Sequence, residues 1–203
     1  KKAVIEIDEL VRFQAEKYFI EGEKFYILED YAKAYVFFQK SLDIVPGMAA
    51  CHYKIADILR IGEDYEKAIL SALKALELDR ANKYYYVITA EIYAKMGNYE
   101  AATEVYEDLV ANVPNTRIYL IDLAAAYLNR LDYENALRVY DQAQDSFGIS
   151  EEFVGQKQRI YLKLNQLENA VREGESLIEA FPGNADYVYR LANILVSNNQ
   201  VAR

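Results

Sequence analysis

The chain has one thiol and one imidazole, and they stand side by side as Cys51-His52. A base that activates a nucleophile must face the same reacting centre, yet neighbours on a helix project about 100° apart. His52 also falls at the repeat position held by Tyr18 and Tyr86, which marks a packing site rather than a catalytic or metal-ligating one. The paired acids Glu151-Glu152 have the composition of a glycosidase acid and base, but at the start of a helix the helix dipole and solvation account for them. Tyr84-Tyr85-Tyr86 beside Lys83 could stack on bases or sugars, although on a helix the three rings diverge. Phosphate-binding glycine loops, zinc-ligand spacings and nucleophile elbows are absent, and Gly62 and Gly97 read as helix-ending turns. No catalytic residue, metal ligand or cofactor site is assigned, and no enzymatic activity is expected.

The elements that carry these residues follow from composition and period. With 203 residues, 53% of them hydrophobic, the chain can bury a substantial core. Its net charge of −9 argues against nucleic acid and anionic lipid as partners, because both reward clustered Lys and Arg. A single cysteine makes no internal disulfide. No apolar run is long enough to insert in a membrane. The compartment depends on what precedes Lys1: cytoplasmic without an export signal, extracytoplasmic with one.

Val4 to Gln14 reads as a long helical extension, N-capped at Asp8 and carrying Leu10, Val11 and Phe13. From Ala15 the sequence divides without insertion or deletion into five units of 34 residues: 15–48, 49–82, 83–116, 117–150 and 151–184. The stretch 185–203 opens a sixth and stops within it. A polar cap, Asp30, Asp64, Asn98 or Asp132, follows each of the first four mid-unit turns, and an aromatic follows each cap. Ala34, Ala68, Ala102, Ala136 and Ala170 recur without exception, and Gly22, Ala56, Ala90 and Ala124 form a second small column. Small residues in both columns predict two helices crossing closely. Pro46, Pro114 and Pro182 end second helices. The fifth unit departs, with Gln158 in the small column, Gly174 where Phe38, Tyr106 and Tyr140 stand, and Gly155 inside a helix, so its hairpin is expected to be looser or its pairing shifted.

These columns resemble the tetratricopeptide repeat family across almost the whole chain. The resemblance implies an all-α fold, a right-handed α-α superhelix or solenoid of helical hairpins, and a scaffold or adaptor that holds a partner peptide or protein segment in a concave groove. The groove residues it implies are Phe19, Glu23, Tyr26, Tyr53, Asp57, Arg60, Tyr84, Val87, Glu91 and Lys95, then Ile121, Leu128 and Arg159. Members that hold acidic chaperone tails carry Lys and Asn in the first repeat, where this chain has Phe19 and Glu23; that clamp is absent. The alternative is a regulatory or targeting module of a larger enzyme or sensor. The helix that opens the sixth repeat is expected to expose Val188, Leu191, Ala192 and Leu195 to solvent or to another copy, a route to self-association.

Overall fold

A computed structural model describes the backbone of residues 2–198 and the side chains of residues 9–198. Among the described residues there are eleven α-helices and no strand: α1 Lys2–Ile27, α2 Tyr31–Ile44, α3 Ala49–Ile61, α4 Tyr65–Leu78, α5 Lys83–Lys95, α6 Tyr99–Asn112, α7 Leu120–Asn129, α8 Tyr133–Phe147, α9 Glu151–Lys163, α10 Leu167–Ala180 and α11 Ala185–Ser197. Helix α1 begins ahead of Asp8, which lies inside it rather than at its N-cap. Ahead of α7 the chain makes a 3₁₀ turn, Arg117–Tyr119, that holds the exposed Ile118. The helices fall into two compact units, Lys1–Pro114 and Asn115–Arg203. In the first, α1 packs on α2, α3 on α4 and α5 on α6; in the second, α7 packs on α8, α9 on α10 and α10 on α11.

The hairpin turns share one geometry. Glu29, Glu63, Gly97, Leu131 and Asn165, each 34 residues from the next, take positive φ near 60–76°. The amide that follows each of them returns to the first helix, as in Asp30 N–H to Phe25 O at 2.9 Å and Asp132 N–H to Tyr127 O at 3.0 Å. Asp30, Asp64, Asn98 and Asp132 then cap the second helix, accepting from the amides of Lys33, Lys67, Ala101 and Asn135. The fifth turn has Gln166 at that place, with no side-chain cap. Gly62, read as a turn glycine, has φ −79°, and the left-handed residue is its neighbour Glu63. Only Gly97 meets this conformation without a side-chain penalty. Leu131 is the bulkiest exception, and it is 65% exposed. Leu131→Gly is therefore expected to raise stability by about 0.5–1 kcal/mol, the relieved strain outweighing the added chain entropy. Equilibrium urea unfolding measures it, and a lower midpoint would place the strain elsewhere.

Both small columns are sealed. Ala34, Ala68, Ala102, Ala136 and Ala170 are buried, as are Ala56, Ala90 and Ala124. In the fifth hairpin the two departures face one another. A Cβ on Gly174 would stand 2.8 Å from Gln158 Nε2. Gln158 thus fills the space an aromatic takes elsewhere, and its amide donates to Ala170 O at 3.0 Å. Helix α11 has no buried residue, and Val188 is 52% exposed, where Tyr86, Leu120 and Val154 at the same register are buried. The end of the sixth unit, residues 199–203, lies outside the described residues.

Candidate functional site

The face built by α1, α3 and α5 in the first unit holds ten of the residues singled out in the sequence. Phe19, Glu23 and Tyr26 sit on α1, Tyr53, Asp57 and Arg60 on α3, and Tyr84, Val87, Glu91 and Lys95 on α5. Their spacings of three and four put each set on one helical stripe. Tyr26 donates its hydroxyl to Asp57 Oδ2 across the α1–α3 seam. Arg60 donates to Asp57 Oδ1 from Nε at 3.0 Å and from Nη2 at 2.5 Å, and its Nε lies 3.9 Å from Glu91. Asp57 is buried, so these donors compensate for lost hydration. Burial, then the bond to Asp57, push the Tyr26 phenol well above its ordinary range. Burial also raises Tyr53, with the charges of Asp57 and Glu91 adding to it. Partial burial alone would lower the Arg60 guanidinium, but Asp57 holds it above its usual value.

Two members of this face escaped the sequence reading. Lys54 lies 3.0 Å from Glu23 Oε1 and 4.2 Å from the Tyr26 ring centroid. The Lys54–Glu23 contact is an ion pair by distance, although Oε1 accepts no aligned hydrogen bond. Tyr85 is buried and tilts against Tyr53 with centroids 5.3 Å apart. A signal existed for Lys54, a charge opposite to that of Glu23 placed 31 residues on, but it does not recur in other repeats.

The three adjacent tyrosines do diverge: Tyr84 is 56% exposed, whereas Tyr85 and Tyr86 are buried. In the second unit Ile121 and Leu128 are half-buried on α7, and Arg159 is exposed on α9. The groups weighed for catalysis are engaged otherwise. Burial pushes the Cys51 thiol up to about 11, and its Sγ rests 3.3 Å from Met48 Sδ. His52 Nε2 bonds the Pro46 carbonyl at 2.9 Å, so that nitrogen carries the proton. Glu151 pairs with Arg190 Nη1 at 2.5 Å on the surface. Among the described residues no three His, Cys, Asp or Glu side chains gather as metal ligands, and no helix is long and apolar enough to cross a membrane. A recess of about 630 Å³ at the turn edge of the first two hairpins is walled mostly by apolar and aromatic side chains, Tyr31, Tyr35, Ile58, Leu59 and Ile61, with Asp64 and Lys67 also lining it.

Family models described as tetratricopeptide repeat match residues 49–82 and 89–148. No curated protein sequence matches. Among solved structures, the MamA protein superposes with a TM-score of 0.71 at 17% identity, covering 85% of this chain and 94% of that one. A tetratricopeptide repeat protein from Parabacteroides merdae gives 0.69 at 17% identity, over 92% of this chain and 74% of its own. YrrB, described as a TPR protein with an unusual peptide-binding site, gives 0.66 at 15% identity, over 85% and 89%. At these identities the likeness speaks for the fold, which is of the helical solenoid class. Tetratricopeptide repeats are in general non-catalytic modules that bind proteins or peptides. Residues 49–82 and 89–148, each matched by a model of one family, are thus tetratricopeptide repeats, set in a chain whose fold is that of the helical solenoids.

Proposed function

We propose that the chain is a protein-interaction scaffold whose first unit docks a partner peptide or protein segment on the face of α1, α3 and α5. The observation that carries the reading is the division of labour on that face. Asp57, Arg60, Tyr26, Glu23 and Lys54 hold one another in place, while Tyr84 and Glu91 stand exposed on the neighbouring stripe. A fixed polar floor beside an open aromatic lets a partner bury area without ordering the floor at its own entropic cost. In the second unit Ile121, Leu128 and Arg159 are proposed to contribute to docking in the same manner, with apolar contacts and one cation.

Tyr53→Ala together with Tyr84→Ala is expected to reduce partner capture at least about tenfold, the loss typical of aromatic anchors. Capture is read as proteins retained by the immobilised chain from the extract of its source cells, with far-UV circular dichroism to establish unchanged helicity. Undiminished capture by a fully helical variant would remove this face as the docking site.

A further inference from the structure

The carboxylates of the first unit's face are not equivalent. Glu23, Asp57 and Glu91 occupy one register on α1, α3 and α5. Helix α3 supplies a cation to each of the first two, Lys54 to Glu23 at 3.0 Å and Arg60 to Asp57 at 2.5 Å. One repeat further on, the positions of those cations are Ile88, which is buried, and Ala94. Neither of these two registers thus supplies Glu91 with a cation. Its closest positive group is Arg60 Nε at 3.9 Å, and that N–H is already directed at Asp57. Lys95, one turn along α5, forms no ion pair with it, and no hydrogen bond reaches Glu91 among the described residues. Its side chain is 48% exposed. Val87 and Tyr84 continue the same stripe toward the start of α5, and Tyr84 presents an open ring.

We propose that the segment docking on this face carries an arginine, whose guanidinium sits on Glu91 as the cation those two registers lack, with an adjoining apolar side chain against Val87 and Tyr84. This rests on the docking reading above. Arginine fits better than lysine because its planar fork can grip a carboxylate through two N–H groups and stack on a tyrosine face. An acidic segment would instead meet the charge of Glu91 itself, with Lys54 and Arg60 already engaged and Lys95 alone left to receive it at the far end of the stripe.

Random-sequence peptides displayed on phage are selected on the immobilised 203-residue chain. The recovered peptides are then resynthesised, with and without citrulline in place of arginine, and titrated by fluorescence anisotropy. Arginine is expected to be enriched among them. Glu91→Gln is expected to weaken each about tenfold, as is citrulline on the unaltered chain, with no further loss when the two changes are combined. Glu91→Lys is expected to turn the selection toward acidic peptides. Arginine peptides indifferent to Glu91→Gln, or peptides without arginine that still lose binding on Tyr53→Ala with Tyr84→Ala, overturn this inference and leave the docking face standing. Recovery of no peptide, or of peptides indifferent to all these changes, overturns both.

Discussion

Lys157→Ala is expected to lower the stability of the chain by about 3 kcal/mol, within the range seen when one partner of a buried ion pair is removed. Lys157 is 5% exposed on α9, and its Nζ lies 2.6 Å from Asp141 on α8 and 2.7 Å from Glu173 on α10. Burial alone would lower the ammonium, but the two carboxylates hold it above the ordinary lysine range. A group raised in the folded state contributes stability fully below its unfolded value and loses it as pH climbs through the folded one. The contribution is therefore present at neutral pH and fades only at strongly alkaline pH. Deleting the lysine leaves Glu173, whose side chain is 15% exposed, without its counter-charge. In the fourth repeat the same two registers are Leu123 and Val139, both buried. Lys157→Leu with Glu173→Val should therefore recover most of the loss, since an apolar pair of similar volume is often no worse than a buried ion pair. Urea unfolding of the full chain measures all three, and a double variant no more stable than Lys157→Ala would show that the charges do more than fill this site.

The parts of the fold legible in the sequence are those that recur. Thirty-four-residue spacing of the alanine column, of the Asp or Asn caps and of the prolines locates the hairpins, because each residue type answers a local demand: close crossing, an orphan amide, a stopped helix. Features that do not recur were misread or passed over. Asp8 has the chemistry of an N-cap, but α1 runs through it. Lys157 stands where Ile55, Thr89 and Leu123 pack, and its carboxylate partners lie sixteen residues away on either side, so only the packing of three helices explains a lysine there. On the candidate face the same distinction holds. The stripe positions follow from helical spacing, whereas the pairing of Lys54 with Glu23 and the sharing of Arg60 between Asp57 and Glu91 depend on which repeat supplies which charge.

Gly22 is the first repeat's member of the small column, and its identity follows from one neighbour. A Cβ built there would stand 2.6 Å from Phe38 Cε1 and 2.7 Å from Cδ1. Phe38 is fully buried, in a cluster with Ala34, Leu42, Cys51, Ile55 and Ile58, and its ring lies 5.6 Å from that of Phe19. It has little room to withdraw. Gly22→Ala is thus expected to destabilise by about 1–2 kcal/mol, overpacking outweighing the better helix propensity of alanine. Phe38→Ala alone should cost about 3–5 kcal/mol through lost burial and the cavity it leaves. With the ring gone, Gly22→Ala should change sign and stabilise by about 1 kcal/mol, the ordinary gain of alanine over glycine in a helix. The second repeat already contains that combination as Ala56 and Ala72, both fully buried, and the fifth inverts it as Gln158 and Gly174. The coupling between the two positions, read from urea unfolding of the four proteins, is expected to be about 2–3 kcal/mol. If Gly22→Ala had the same effect with Phe38 present or absent, the close approach at this crossing would not be what keeps the position glycine.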